Sequence, residues 1–191
     1  MKKIILLTLV LFSTIVISPA QSMDRERFGN TLNLGVGVGY YGYVGHAMPF
    51  GTMNYEVDIA RNFTLAPFIG VYSYRNDYYW GNPNKPIYDE SYRFYGYRET
   101  VIPIGLKGSY YFDELLRAGP KWDFYAGASV GFNIRNRVWD SGYMGDKNAN
   151  QTASPLYLNV HIGSEYHMTD RVGAFLDLST GVSTIGFAFH F

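Results

Sequence analysis

Cysteine is absent from this sequence, so disulfide bonds do not hold its fold together and no lipid-modified cysteine anchors it. An excess of one charge is also missing, because 16 basic residues balance 16 acidic ones and no basic run offers a nucleic-acid surface. The four histidines are scattered along the chain, and we expect them to lie too far apart for a metal site. The sequence thus indicates no nucleic-acid partner, no metal ion and no cofactor.

Long apolar runs are confined to the start of the chain. Lys2 and Lys3 precede an apolar run over residues 4–17, which ends on the small residues Ser18 and Ala20. This is the pattern of a secretory signal peptide cleaved after Ala20, and the run is too short to favour a transmembrane helix. We expect residues 1–20 to be removed, residues 21–29 to form a short N-terminal segment, and residues 30–191 to fold as one domain.

Aromatic residues and glycine are abundant, with 18 tyrosines and 21 glycines, and no helical periodicity accompanies them. Instead, apolar residues alternate with polar or small ones, most clearly over residues 122–135. A period of two is typical of a strand with one face in apolar surroundings. Because every backbone polar group must be satisfied in lipid, a closed β-barrel is the remaining way for such a chain to span a membrane.

The alternation predicts eight strands, over about residues 32–43, 52–60, 63–74, 94–112, 122–138, 155–168, 172–180 and 183–191. Short turns near Arg61, Asp113 and Thr169 alternate with longer loops, of which the longest covers residues 75–93. Short turns at one end and long loops at the other are typical of membrane barrels. Pro67 and Pro103 each remove a ladder bond, so we expect a bulge or local irregularity at one or both.

The last residues, Ser183 to Phe191, read S-T-I-G-F-A-F-H-F and place Ile185 and three phenylalanines on one side of a strand. A strand at the end of a chain must be paired on both edges or remain prone to association, and closure of a barrel pairs it. We therefore expect this strand to close the barrel.

The leader, the alternating strands, the rhythm of turns and loops and the terminal Phe191 together resemble the small eight-stranded outer-membrane proteins of the OmpA/OmpX-like, porin-like barrel superfamily. The resemblance implies an all-β, eight-stranded antiparallel up-and-down transmembrane β-barrel. It also implies a monomer in the outer membrane, in contact with its lipids and with both termini in the periplasm. In that family the barrel insertion machinery reads the terminal strand, here through Phe187, Phe189 and Phe191.

The interior of such a barrel is just wide enough for side chains to fill. Inward positions mix glycine with large residues such as Phe68 and Tyr125, so we expect no open channel. Buried charges need partners, and we predict two ion-pair clusters: Asp58, Lys107 and Glu165 in the periplasmic half, and Glu56, Arg135 and Asp177 in the outer half. A structural polar plug is our interpretation, with a gated conduit or proton path as the alternative.

Aromatic residues concentrate in and near the longest loop. Tyr and Trp are favoured anchors at interfaces, and we predict a candidate recognition patch formed by Tyr78, Tyr79, Trp80, Tyr88 and Tyr92. Tyr95, Tyr97 and Trp139 are expected in an outer aromatic girdle at the lipid headgroups, and Tyr78 to Trp80 fit either interpretation. A second girdle is expected at the periplasmic end, from Phe112, Trp122, Phe124, Tyr166 and Phe191.

A hydrolase is the enzymatic alternative, through His161, Ser164 and Glu165. Parity opposes it, because His161 and Glu165 point inward whereas Ser164 faces lipid, and a triad needs all three within hydrogen-bond reach. His161, Asp177 and Ser179 share one parity, yet they would be buried in the lumen without access for a substrate. We therefore expect no enzymatic activity.

These observations predict an integral outer-membrane barrel with a packed, non-conducting lumen. Its expected role is structural, or the binding of a surface partner, not identified by the sequence, through the extracellular loops. The alternatives are a narrow porin-like channel, a conduit for small hydrophobic molecules, and a lipid-modifying enzyme.

Overall fold

The computed structural model describes residues 29–40, 47–80, 93–141 and 155–191, and the predicted signal peptide lies outside them. The chain forms eight strands, which are β1 (Thr31–Gly39), β2 (Met48–Ala60), β3 (Phe63–Trp80), β4 (Arg93–Tyr111), β5 (Trp122–Trp139), β6 (Leu156–Thr169), β7 (Val172–Ser179) and β8 (Val182–His190). A single helical turn, α1 (Asp113–Leu116), lies between β4 and β5. Within the described ranges, no helix has the length and apolar character needed to cross a membrane.

Each strand pairs antiparallel with its neighbour along the chain, and β1 pairs with β8 to close the barrel. The closing seam runs from Thr31 opposite His190 to Gly39 opposite Val182. On its other edge β8 pairs with β7, so both edges of the last strand are satisfied. The predicted fold class and the closure by the last strand are confirmed.

The two faces of each strand differ as the alternation predicts. Phe132 and Leu158 are 64% and 63% exposed on the outside, whereas Ser129 is 4% exposed on the inside. Apolar side chains are exposed in the same way on all eight strands, from Val36 in β1 to Ile185 in β8. A continuous apolar band of this kind is what a barrel presents to acyl chains, since lipid instead of water covers it.

The prolines disturb the hydrogen-bond ladder locally. The β3–β4 pairing is interrupted between Ile69 and Tyr72, where Gly70 lies opposite Pro103, and the β2–β3 pairing is interrupted where Pro67 lies opposite Tyr55. Neither interruption shifts the register, so the expected irregularity is confirmed without a bulge. The register shifts occur elsewhere, at residues 58–60 of β2 and 167–169 of β6.

The connections differ in length between the two ends of the barrel. We call the end that carries Thr31 and His190 the terminal end, and the opposite end the loop end. At the terminal end, two-residue turns follow Ala60 and Thr169, and α1 replaces the plain turn expected after Tyr111. At the loop end the connections span residues 40–47, 81–92, 140–155 and 180–181, so the long ones lie together as predicted.

Several strands are longer than predicted at the loop end. β2 begins at Met48 instead of 52, because Met48 and Phe50 pair with Gly39 and Gly37 and bury their side chains. β3 continues to Trp80 through the residues assigned to the longest loop. Among the described residues the β5–β6 ladder ends at Phe132 and Leu156. Beyond this point, residues 73–80, 93–100 and 134–139 form a three-stranded sheet. We call this sheet the loop-end extension.

Candidate functional site

The polar side chains of the barrel interior form the candidate site, and Asp177 lies at its centre. Lys107 Nζ donates to Asp177 Oδ2 at 2.7 Å, and the Tyr125 hydroxyl donates to the same oxygen at 2.8 Å. His161 Nδ1 lies 2.9 Å from Asp177 Oδ1. Lys107, Tyr125 and Asp177 are buried, and the His161 side chain is 10% exposed. The four residues come from β4, β5, β6 and β7, so the network spans the lumen and connects its walls.

Ser129 extends this network. Its Oγ lies 2.6 Å from His161 Nε2, so Ser129, His161 and Asp177 follow one another in the order of a catalytic triad. In the sequence-based alternative the serine was Ser179, but Ser179 Oγ instead donates to the Val182 carbonyl at the β7–β8 turn. Ser129 lies on β5, next to the strand of His161, and its inward direction could have been predicted from the alternation in the sequence.

Glu56 forms a second polar group, without an ion pair. Its carboxylate accepts hydrogen bonds from Asn33 Nδ2 at 3.1 Å, Thr64 Oγ1 at 2.9 Å and the Tyr111 hydroxyl at 2.7 Å. The side chain is buried, and three neutral donors take the place of the cation that the sequence analysis expected. The prediction that Glu56 joins an ion-pair cluster is therefore wrong among the described residues.

A third group lies towards the loop end, around Glu99. Arg135 Nη1 donates to Glu99 Oε1 at 2.9 Å, and Arg137 Nη2 donates to Oε2 at 3.0 Å. The Arg137 guanidinium also lies 4.5 Å from the centre of the Tyr97 ring, a distance at which the cation and the ring attract. Glu99 was missed in the sequence, although it has the same parity as Lys107 on the same strand.

The fourth group lies at the terminal end. His190 Nε2 is 2.7 Å from Glu165 Oε1, and His167 Nε2 is 2.7 Å from Asp123 Oδ2. The two imidazole rings are 5.0 Å apart between their centres. The expectation that the histidines lie too far apart for a shared site is therefore wrong for this pair, because the ends of β6 and β8 meet at one rim.

The predicted heights agree with the structure for Glu165 and Arg135 but are wrong for other charged residues. Lys107 and Asp177 were assigned to opposite halves of the barrel, yet they form one ion pair. Glu56 was assigned to the outer half, yet it lies opposite Thr31, the first residue of β1. Strands in a barrel are tilted and staggered, so position along a strand does not give height along the barrel axis.

Asp58 does not belong to the interior network. It is exposed and accepts a hydrogen bond from the Gly29 amide at 2.9 Å.

Small and large residues face one another across the lumen. A Cβ at Gly163 would overlap the Tyr125 ring, and one at Gly35 would lie 2.8 Å from the Phe175 ring. Between these side chains the described residues enclose a cavity of about 50 Å³, lined by Glu56, Lys107, Tyr125, Ser129, His161 and Asp177 among others. A cavity of ~10–15 Å³ already holds one water molecule, so this cavity has room for a few water molecules.

The aromatic predictions have mixed outcomes. Tyr88 and Tyr92 lie outside the described residues, while Tyr78, Tyr79 and Trp80 end strand β3 instead of lying in a loop. Tyr97 is buried and packs on Trp139 with ring centres 5.0 Å apart, so its assignment to the outer girdle is wrong. Tyr97 has the same parity as Glu99, which faces inward.

At the terminal end, Trp122 packs on Phe124 and Tyr166, at 6.0 and 4.9 Å between ring centres, as expected for a girdle.

The candidate insertion signal lies on the last strand. Phe187 is exposed on the outer face of β8, opposite Leu34 of β1 and Ala174 of β7. Phe191 follows the strand, and its amide donates to the Asn30 carbonyl at 3.1 Å. The terminal phenylalanine side chain is exposed at the rim.

No family model matches this sequence, and no curated protein matches it. Among solved structures, the chain is similar to the N-terminal β-barrel domain of Pseudomonas aeruginosa OprF, with 14% identity, a TM-score of 0.43, and coverage of 85% of this chain and 98% of that one. Neisserial surface protein A gives 13% identity, a TM-score of 0.47, and coverage of 84% and 95%.

Ail, the attachment invasion locus protein of Yersinia pestis, solved in complex with the heparin analogue sucrose octasulfate, gives 7% identity, a TM-score of 0.45, and coverage of 84% and 95%. Identities and scores this low carry no argument on function. The strand pairing establishes the fold by itself: the protein is an all-β, eight-stranded antiparallel up-and-down barrel, similar in architecture to these outer-membrane barrels.

Proposed function

We propose that this protein is a monomeric integral outer-membrane barrel with a packed, non-conducting lumen, which acts as a structural element or binds a surface partner through its loop end. The exposed apolar band supports insertion into a bilayer, since leaving such a band in water would expose a large apolar surface. The first described residue, Gly29, and the C-terminal Phe191 lie at the end with the short connections, which we assign to the periplasm. The strand ending at Phe191 is proposed as the segment read by the insertion machinery.

The proposal of a closed lumen rests on one observation. Lys107 and Asp177 bridge β4 and β7 across the interior, and the cavity of about 50 Å³ between the lumen side chains holds only a few water molecules, which supports a lumen closed to hydrated solutes. Side chains fill an eight-stranded barrel in this way when it acts as a core and not as a pore.

Planar bilayer recordings test the closed lumen. We expect the purified full chain to give no ohmic conductance, since ions would have to displace the Lys107–Asp177 pair and its neighbours. A variant with Phe68, Tyr125 and Tyr157 changed to Ala removes three large lumen side chains and serves as the control for detecting an open barrel. Steady conductance in the nanosiemens range from the unmodified chain would overturn the proposal in favour of a porin-like channel.

The loop-end extension supports a role in partner binding. Strands β3 and β4 pair up to Trp80 and Arg93, well beyond the last β5–β6 pair at Phe132. The extension therefore offers paired strands at the end where the long connections lie. The candidate patch, Tyr78, Tyr79, Trp80, Tyr88 and Tyr92, belongs to this hairpin or to the segment that joins its strands.

Cross-linking on intact outer membranes tests this role. One variant replaces residues 81–92 by Asn-Gly, which suits a two-residue hairpin turn, and changes Tyr78, Tyr79 and Trp80 to Thr. A matched variant shortens residues 142–154. We expect the first variant to lose the cross-linked partner and the second to retain it, while both remain folded and inserted. Retention of every partner by the first variant would leave only the structural role.

Enzymatic activity is not part of the proposal. A triad needs the aspartate to stabilise the imidazolium that forms during catalysis. Here the Lys107 ammonium, 2.7 Å from Asp177, already balances that charge, and Ser129 is buried beside a cavity too small for a lipid.

A further inference from the structure

Three side chains at the terminal end converge on one small volume. They are Glu165, His167 and His190, and one ligand atom from each lies within 4.8 Å of the others. His190 Nε2 and His167 Nδ1 lie 2.7 and 3.9 Å from the same oxygen, Glu165 Oε1. The side chains are partly or wholly buried inside the rim, so they are held by the barrel instead of moving freely in solvent.

The hydrogen bonds of His167 direct a lone pair towards this oxygen. Because the Asp123 carboxylate accepts, His167 donates to it through Nε2 at 2.7 Å. In the neutral ring Nδ1 then carries a lone pair, and it faces the Glu165 carboxylate, which is also an acceptor. A metal ion placed between these two atoms would accept a lone pair from each of them.

The outer nitrogens of both histidines are oriented as in metal sites. A metal-binding histidine generally gives its second ring nitrogen to a carboxylate or other polar group, which fixes the ring and its tautomer. Here Asp123 holds His167 through Nε2, and Thr31 Oγ1 lies 2.9 Å from His190 Nδ1. The nitrogens that face Glu165 are Nδ1 of His167 and Nε2 of His190.

The backbone leaves room for the carboxylate at this point. A Cβ at Gly173 would overlap Glu165 Oε1, the atom that both histidines face. Gly173 lies opposite His167 in the β6–β7 ladder, next to the register shift at residues 167–169. Bulges commonly re-aim side chains beside functional sites, so the local backbone fits the convergence of the three ligands.

Charge also favours a cation at this place. Asp123 and Glu165 are both buried, and within the part of the chain that the structure describes, histidines alone lie within ion-pair distance of them. Two buried carboxylates without a fixed cation are costly. A divalent ion would balance both charges while the imidazoles remain neutral.

We propose that Glu165, His167 and His190 form a binding site for a divalent transition metal ion of the zinc type. Two imidazoles and one carboxylate, with a fourth position left to water, are an established donor set for Zn²⁺. Ligand atoms at ~2.1 Å from a tetrahedral ion lie about 3.4 Å apart, and the present separations of 2.7 and 3.9 Å bracket that value. The ion would link β6 to β8 beside the closing seam.

Zinc titration of the full chain, purified in detergent and stripped with a chelator, tests this site. We expect one Zn²⁺ per barrel, and a Co²⁺ complex whose visible absorption reports tetrahedral coordination. His190→Gln removes a ligand, and Gly173→Ala displaces the Glu165 carboxylate while the far end of a flexible side chain gives way. Each variant is expected to lower the zinc affinity at least ~10-fold, the lower end of what disturbing a metal site costs.

Matched variants control for the number of histidines and for the effect of a methyl group. His46→Gln removes a histidine that lies outside the described residues, and Gly119→Ala adds a methyl group where nothing lies within 4 Å. Both are expected to bind zinc as the unmodified chain does, with circular dichroism confirming that all four variants are folded. Absence of saturable binding by the unmodified chain, or undiminished binding by folded His190→Gln, would overturn the metal site and leave protonated histidines as the cations.

Discussion

Lys107 Nζ lies 2.7 Å from Asp177 Oδ2, although the two residues belong to strands β4 and β7, which are not neighbours in the barrel. The bond therefore crosses the lumen and joins opposite walls. Both side chains are buried, so each charge depends on the other for compensation. The remaining carboxylate contacts, from Tyr125 and His161, make Asp177 the hub of the interior.

Removing one member of this pair is expected to destabilise the barrel strongly. Lys107→Met leaves a buried carboxylate without its cation, which typically costs about 3–5 kcal/mol of unfolding free energy. Urea unfolding in lipid vesicles measures the loss.

The double variant Lys107→Met with Asp177→Leu is the control, because it removes both charges together. It is expected to be more stable than Lys107→Met alone, since a buried ion pair can often be replaced by apolar residues at little cost. A single variant that loses less than about 1 kcal/mol would show that water reaches the pair and that the lumen is not packed.

The close approach of Gly163 and Tyr125 gives a second prediction. A methyl group in Gly163→Ala would overlap the tyrosine ring and force its hydroxyl away from Asp177. Overpacking of this kind costs about 1–3 kcal/mol of unfolding free energy. Gly119→Ala, at an exposed position with nothing within 4 Å, is expected to change the stability by less than about 1 kcal/mol. Equal effects of the two variants would contradict the small-against-large packing.

The faces of the strands could be predicted from the sequence because alternation is a local property. Val130 and Ser129 are adjacent, and their opposite environments follow from the period of two alone. The closure of the barrel could also be predicted, because an apolar last strand needs partners on both edges.

The contacts within the lumen could not be predicted in the same way. They depend on strand tilt and stagger, which place Lys107 level with Asp177 and bring His167 to His190. Glu99 was missed and Tyr97 was misassigned for a different reason. The alternation that places Lys107 inside the barrel continues along β4 to Glu99 and Tyr97, but the sequence analysis did not follow it that far.

The position of the membrane boundary on strand β5 gives a third prediction. Val130 lies in the apolar band between Leu106 and Leu158, whereas Val138 belongs to the loop-end extension, where its partner among the described residues is Arg98 of β4. Val130→Arg is expected to cost about 2–4 kcal/mol, the range for a cation at the bilayer midplane, and Val138→Arg no more than about 1 kcal/mol. Unfolding in vesicles measures both. A large cost at Val138 would place the extension inside the bilayer and remove the proposed partner surface.

The arrangement of Ser129, His161 and Asp177 gives the last prediction, which separates a structural network from a lipid-modifying enzyme. Ser129→Ala removes the hydroxyl 2.6 Å from His161 Nε2 and leaves a buried ring nitrogen without its partner, at a cost of about 1–3 kcal/mol of stability. Mass spectrometry of outer-membrane lipids from cells producing either form is expected to give identical acyl chains, because Lys107 already neutralises Asp177. If the unmodified protein adds or removes an acyl chain and Ser129→Ala does not, then the serine is a nucleophile, and the lumen must open to a substrate larger than its cavity of about 50 Å³.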